Sequence, residues 1–246
     1  MRHGKTQLAW LSAALCLLLL VFLVPWQRAC ALTQNRLRAP ASVSERVKQY
    51  GDIVHARLLP QFARVGVAYP PRAVTLVGLK AERRMEVWVS GDGQKFQLLT
   101  NYPFRAASGV LGPKLREGDG QVPEGLYRVE SLNPNSLYHL SLRVNYPNAF
   151  DRQQAAAENR TRLGGDIMIH GSDVSIGCIA LGDAAAEDLF VLAAETGLKH
   201  LALILSPVDF RVRALPPDLK PLPVWTTELY AAIRIELARM TLPAPK

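Results

Sequence analysis

The pattern of apolar and polar residues along the chain predicts an α+β protein in which strands dominate. Continuous or alternating apolar runs, separated by glycine, proline and asparagine, are typical of strands. Six runs have this pattern: 74–80, 85–90, 95–100, 138–146, 167–170 and 200–205. The turn Gly91-Asp92-Gly93 joins the second and third runs, so we expect a hairpin there.

Helical spacing of apolar residues is found in three segments: 40–64, 184–196 and 224–240. In the first segment, Ser42 or Ser44 is the expected N-cap, and Pro60 should interrupt the helix. In the second, Asp183 should cap the helix and Gly197 should end it. Helices therefore flank the strand-rich region on both sides.

The run 138–146 alternates strictly, which predicts two different faces. Its apolar face consists of Tyr138, Leu140, Leu142 and Val144, and its polar face of His139, Ser141, Arg143 and Asn145. The polar face either lines a cleft or is simply exposed to water, and the pattern alone favours neither. Residues 108–125, rich in glycine and proline, predict a long shaped loop.

The amino terminus has the composition of a targeting segment. Arg2 and Lys5 precede the uncharged stretch 8–26, and Ala29-Cys30-Ala31 supplies a small-residue cleavage pattern. We expect a signal peptide cleaved after Ala31, with an uncleaved membrane anchor through 8–26 as the alternative. Either interpretation predicts an exported protein of the periplasm or cell envelope, free or anchored in the inner membrane.

Composition and charge restrict the function classes. The chain has 246 residues, of which 49% are hydrophobic and 20% charged, with net charge +8. These values exclude a disordered chain and a coiled coil. The aromatic-plus-basic patterns of nucleic-acid modules are absent, so we expect no nucleic-acid partner. A mildly basic exported protein suits an anionic surface such as a cell wall.

The patterns divide the chain into four segments. These are a signal peptide or anchor (1–31), an N-terminal helical segment (32–66), a strand-rich domain (67–213), and a proline-rich linker with a C-terminal helix (214–246).

Cysteine use points to one candidate site. Cys16 and Cys30 lie in the targeting segment, which leaves Cys178, eight residues after His170. An imidazole can take the proton of a nearby thiol, and a thiol paired in this way has a lowered pKa. Spacing alone also permits a structural histidine and a buried inert thiol. A zinc site is disfavoured because too few cysteines are available, and we expect no metal.

The segment around Cys178 resembles the signature of the L,D-transpeptidase family of the YkuD type. That signature is a histidine followed by Ser/Thr-His-Gly-Cys, and His170, Ser175, Gly177 and Cys178 fall on its matching positions. The likeness covers about residues 65–210 and is closest to the YafK/DpaA-like branch of murein enzymes. Five further blocks carry it: 108–109, 111–119, 121–125, 133–136 and 146–151.

The resemblance implies a mainly β, L,D-transpeptidase-like β-sandwich catalytic domain with flanking helices. It implies that Cys178 attacks a carbonyl of a peptidoglycan stem peptide, that His170 is the base, and that no cofactor takes part. The Gly171 carbonyl would orient the imidazole, the N–H groups of Gly177 and Cys178 would form an oxyanion hole, and Ser175 would shape the turn.

Two departures from the family pattern leave the acceptor open. Ile176 replaces the second histidine of the signature, and Ala180 replaces the usual arginine after the cysteine. The main expectation is an enzyme that remodels the wall by cross-linking or protein attachment. The alternatives are a hydrolase or amidase that detaches a protein or lipoprotein from peptidoglycan, and a non-catalytic wall-binding module. Four residues are candidate substrate contacts: His139, Arg143, Lys114 and Arg116.

Overall fold

A computed structural model describes residues 40–241. The expected signal peptide or anchor over 1–31 lies outside these residues. Four α-helices occur in the described range: α1 Val43–Val65, α2 Ala149–Ala157, α3 Asp183–Thr196 and α4 Thr226–Ala238. No helix within 40–241 combines the length and the hydropathy that a membrane crossing requires.

The strands of the described range form one mixed sheet. Their bounds are β1 Ala73–Leu79, β2 Arg84–Ser90, β3 Gln97–Pro103, β4 Ala106–Ala107, β5 Gly125–Ser136, β6 His139–Val144, β7 Met168–His170, β8 Ile179–Ala180 and β9 Leu201–Ser206. The order across the sheet is β3-β2-β1-β9-β5-β6-β7-β8-β4. Strands dominate the fold, which confirms the mainly β, α+β class.

The long strand β5 connects the two halves of this sheet. Its first residues, Gly125 to Arg128, pair with β9, and its later residues, from Val129 on, pair with β6. The pairs β1–β9 and β7–β8 are parallel, and the other neighbouring strands are antiparallel. The predicted hairpin of β2 and β3 is confirmed, whereas β5 and α2 were not predicted.

Two apolar clusters fix the helices to the sheet. The larger cluster joins one face of the sheet to α1 and α3 through residues such as Leu58, Leu142 and Phe190. The smaller cluster packs α4 on the opposite face of β1, β2 and β9, where Ile233 meets Trp88. Burial of these side chains supplies most of the driving force for the arrangement.

Helix α1 begins as expected but passes through the proline that was expected to interrupt it. Ser42 is the N-cap, and it forms a capping box with Glu45. The helix continues past Pro60 to Val65, so the expected interruption is wrong. Pro60 is exposed and removes one backbone hydrogen bond, while Leu58 and Phe62 on either side remain buried in the core.

Helix α3 ends at Gly197 as predicted, but Asp183 is not its cap. The N-cap is Gly182, and Asp183 is the first helical residue. The Asp183 Oδ1 atom instead accepts a hydrogen bond of 2.7 Å from the backbone N–H of Ser172. The side chain therefore ties the helix to the loop after β7, the strand that ends at His170.

Candidate active site

Two neighbouring parallel strands, β7 and β8, position His170 and Cys178. His170 is the last residue of β7, and Cys178 immediately precedes β8. In the register of the pair, Ile169 lies opposite Ile179 and His170 opposite Ala180. The loop of residues 171–178 therefore leaves the carboxyl end of β7 and returns to the amino end of β8, where Cys178 lies beside Met168, two positions along β7 from His170.

His170 is buried and held in one tautomer. The residue is 1% exposed, and its Nδ1 atom lies 2.6 Å from the Gly171 carbonyl oxygen. A carbonyl only accepts hydrogen bonds, so Nδ1 carries the proton and Nε2 has a free lone pair. Burial lowers the pKa of His170, and the hydrogen bond to Gly171 opposes this only in part. The imidazole is therefore neutral at pH 7 and available as a base.

Tyr138 covers the face of the His170 ring. The two rings are stacked, with centroids 4.8 Å apart and planes at 29°. The sequence pattern put Tyr138 on the apolar core face, and this is wrong: the residue is 45% exposed. The strand begins only at His139, whose φ of +71° breaks the alternation just before it. Tyr138 is thus a site residue that periodicity could not reveal.

The Cys178 thiol is partly buried and hydrogen-bonded to backbone. Sγ accepts from the Met168 N–H at 3.3 Å and donates to the Asp166 carbonyl at 3.5 Å. Burial raises the pKa of Cys178, the Asp166 charge raises it further, and the Met168 N–H and Lys114 partly oppose this. This direction is opposite to the lowered pKa that is expected for a thiol paired with His170. The resting pair is a neutral thiol and a neutral imidazole.

Glycine is required at position 171 by close packing. A Cβ atom there would lie 2.5 Å from Asp183 Oδ1 and 2.9 Å from the Tyr138 carbonyl oxygen. Because contacts below 3.0 Å are not tolerated, any side chain would displace the loop. The backbone carbonyl that holds His170 thus depends on this glycine.

The N–H group of Gly177 is already engaged. Gly177 has φ +81°, and its N–H donates to Ser108 Oγ at 2.6 Å. The Ser108 hydroxyl in turn donates to the Gly120 carbonyl at 2.7 Å. This corrects the expected oxyanion hole, because only the Cys178 N–H of the two predicted donors remains a candidate. Ser175 Oγ donates to the Cys178 carbonyl at 2.6 Å, as a turn-shaping residue would.

Sequence comparison decides the family. Residues 73–201, more than half of the chain, match the L,D-transpeptidase catalytic domain, YkuD. The chain belongs to the L,D-transpeptidase catalytic-domain family. YafK of Escherichia coli K12, itself a candidate L,D-transpeptidase, is 39% identical over 113 residues. That match spans 45% of this chain and 43% of YafK, less than half of either protein.

Two solved structures are also similar. The helical cell shape determining protein Pgp2 of Campylobacter jejuni has 25% identity and a TM-score of 0.43, covering 55% of this chain and 48% of that chain. Bd1075 of Bdellovibrio bacteriovorus has 20% identity and a TM-score of 0.42, covering 69% of this chain and 55% of that chain.

Within this L,D-transpeptidase domain, Arg143 binds Asp166, whose backbone carbonyl accepts from the Cys178 thiol. It is opposite Met168 in the pairing of β6 with β7. Its guanidinium binds Asp166 at 2.8 Å and Glu130 at 3.2 Å, and the side chain is 40% exposed. Arg143 is therefore linked to the Cys178 thiol through Asp166, and its side chain remains accessible to a ligand.

The two basic residues of the glycine- and proline-rich loop have different surroundings. Lys114 is buried and bound to Asp119 at 2.6 Å and to the Arg116 carbonyl at 2.9 Å, so it holds the loop together. Arg116 is exposed and lines a cleft of about 520 Å³ with Arg160 and Gln121. Of these two expected substrate contacts, only Arg116 has an accessible charge.

His139 points away from the reactive pair. Its Nε2 atom lies 3.0 Å from Glu187 Oε1 on α3, and its ring meets Tyr50 of α1 edge-on at 5.3 Å. The expectation that it contacts substrate has no support in this arrangement. The positive φ at His139 turns the side chain toward the helices instead.

The two departures from the family signature have opposite exposure. Ile176 is 87% exposed on the loop between β7 and β8, while Ala180 is fully buried in β8.

In residues 40–241, no three or more histidine, cysteine or acidic side chains converge as metal ligands.

The thiol pKa is directly measurable. We expect the rate of Cys178 alkylation by iodoacetamide to rise with pH around a midpoint above that of a free cysteine, because burial disfavours the thiolate. The rate is followed on the Cys178 peptide by mass spectrometry, which separates it from Cys16 and Cys30. A midpoint well below that of a free cysteine would instead show a preformed imidazolium–thiolate pair.

Tyr138 should control the basicity of His170. In Tyr138→Ala the imidazole gains access to water, so its pKa should rise toward its ordinary value. Tyr138→Phe keeps the stacked ring and should leave the pKa unchanged. NMR titration of the His170 ring protons measures both variants. Equal pKa values of His170 in Tyr138→Ala and wild type would mean that other residues exclude water from the imidazole.

Proposed function

We propose that this protein is a cysteine acyltransferase that acts on peptidoglycan stem peptides. The observation that supports it most strongly is the fixed tautomer of His170, whose Nδ1 is bound to the Gly171 carbonyl. Nε2 is thereby kept as a proton acceptor at the end of the strand that neighbours Cys178.

In the proposed first step, Cys178 Sγ forms a bond to a carbonyl carbon of the stem peptide. The thiol proton passes to His170 Nε2, the C–N bond breaks, and the same proton leaves with the departing amine. The result is a thioester on Cys178. Because thiol and imidazole are both neutral at rest, proton transfer accompanies the attack rather than preceding it.

In the proposed second step, an amine attacks the thioester and forms a new amide bond, while the thiol recovers its proton through His170. The Cys178 N–H would stabilise the oxyanion in both steps. Stem peptides carry carboxylates, which suit the accessible guanidinium groups of Arg143 and Arg116. The acceptor amine belongs to a second stem peptide or to a lipoprotein that becomes attached to the wall.

This function requires that the enzyme meets peptidoglycan outside the cytoplasm. We infer an exported protein, with residues 1–31 as the targeting segment and a tether through 8–26 as the alternative.

Incubation of the full-length protein with peptidoglycan sacculi tests the proposal. We expect new cross-linked or protein-linked muropeptides, read by mass spectrometry, that are absent with Cys178→Ala. The matched control replaces both other cysteines, as Cys16→Ala with Cys30→Ala, and should retain full activity because the proposed mechanism uses neither residue.

Three other outcomes would contradict the proposal in different ways. Loss of linked muropeptides with no new bond would show that water is the acceptor and that the enzyme is a hydrolase or amidase. Equal products from wild type and Cys178→Ala would exclude Cys178 as the nucleophile. No change on sacculi with or without attached protein would favour a wall-binding module.

A further inference from the structure

A buried charged cluster connects the C-terminal helix to the loop beside the site. Helix α4 follows the region that matches the family, which ends at residue 201. Its Tyr230 is 3% exposed and donates a hydrogen bond of 2.6 Å to Glu124 Oε2. We call Lys80, Glu124 and Tyr230 the anchor cluster.

The charges of the anchor cluster are desolvated and mutually satisfied. Glu124 Oε1 lies 2.8 Å from Lys80 Nζ, and the two side chains are 0% and 7% exposed. The same oxygen accepts the Gly112 N–H at 2.7 Å. A buried ion pair is tolerated when hydrogen bonds occupy its remaining donors and acceptors. The Tyr230 hydroxyl is therefore one of the groups that keep Glu124 in place.

The anchor cluster holds the glycine- and proline-rich loop at two points. Lys80 Nζ donates to the carbonyls of Gly112 and Val122, each at 3.0 Å. The linker before α4 adds a third contact, because a Cβ atom on Gly112 would lie 3.1 Å from Leu222 Cδ2. The C-terminal segment thus packs directly on the loop.

From these points, short hydrogen bonds lead to the cysteine loop. Gln121, the neighbour of Val122, accepts the Val110 N–H at 2.9 Å. Ser108 then bridges the Gly120 carbonyl and the Gly177 N–H, at 2.7 and 2.6 Å. Gly177 immediately precedes Cys178. The route from Tyr230 to Cys178 therefore runs through the hydrogen bond to Glu124, along the chain to Gly120, and through Ser108 to Gly177.

We propose that Tyr230 is a positioning residue. It fixes the loop 171–178, which ends at Cys178, through Glu124 and the glycine- and proline-rich loop before β5 (the 108–124 loop). The C-terminal helix is then a working part of the catalytic unit, although it lies outside the region that matches the family. The inference rests on the proposed function, because it concerns the position of the nucleophile assigned there.

The test compares Tyr230→Phe with wild type in the full-length protein. The variant keeps the ring in its apolar contacts and removes only the hydroxyl. We expect kcat on muropeptides to fall by about tenfold with KM unchanged, since a small displacement of a nucleophile is costly. We also expect a lower pH midpoint of Cys178 alkylation, because a loosened loop admits water and relieves the burial that raises the thiol pKa.

Ile233→Val is the matched control. Ile233 lies one turn along α4, is fully buried, and packs on the sheet rather than on the loop. It should lower the unfolding temperature without moving the alkylation midpoint or kcat. Leu222→Ala, which removes the linker contact with the loop, should shift both in the same direction as Tyr230→Phe.

Two results would overturn the inference. One is a Tyr230→Phe protein with the wild-type kcat and alkylation midpoint. The other is an equal shift in Ile233→Val, which would show a general loss of stability. Failure of the proposed function is distinguishable, because it appears as activity that persists in Cys178→Ala. The alkylation midpoint decides the inference even if no turnover is found.

Discussion

The parallel pairing of β7 with β8 is the constraint on which the site depends. Parallel neighbours need a connection that leaves the carboxyl end of one strand and crosses back to the amino end of the next. Here that connection is only the loop 171–178, with His170 at its start and Cys178 at its close. Asp183 holds the loop from α3, and Ser108 holds it from the 108–124 loop. The loop that connects His170 to Cys178 is thus held from both sides.

Burial then sets the protonation states. The site removes water from both candidate catalytic groups, which raises the thiol pKa and lowers the imidazole pKa. Both shifts favour neutral forms, so they oppose a stable ion pair at rest. General-base activation is consistent with this starting point, since charge then forms only as the thiol attacks. Tyr138 contributes by covering the imidazole, while its own exposed face borders the solvent side of the site.

Local patterns in the sequence predicted several strands and the candidate catalytic residues. Strand periodicity located β1, β2 and β9, and the family signature pointed to His170, Ser175, Gly177 and Cys178 as candidates. The pattern did not reveal Ser108, which acts on Gly177 from 69 residues away. Its only signal was its place in a block that resembles the family.

Errors of prediction arose where tertiary contacts override local preference. Buried neighbours carry α1 through Pro60, and the loop after β7 takes the Asp183 carboxylate away from its capping role. The direction of the thiol pKa depends on solvent exclusion, which no spacing in the sequence encodes. Alternation placed His139 on the polar face of its strand as a candidate substrate contact. Its positive φ instead turns the side chain toward Glu187.

Detection of a thioester on Cys178 is the most direct test of its proposed role as the nucleophile. The full-length protein is mixed with muropeptides, quenched in acid during turnover and digested, and the Cys178 peptide is analysed by mass spectrometry. If Cys178 is the nucleophile, this cysteine should carry an added stem-peptide acyl group that hydroxylamine releases and that is absent in Cys178→Ala. Turnover without any acyl group on Cys178, at the same rate in Cys178→Ala, would contradict that role.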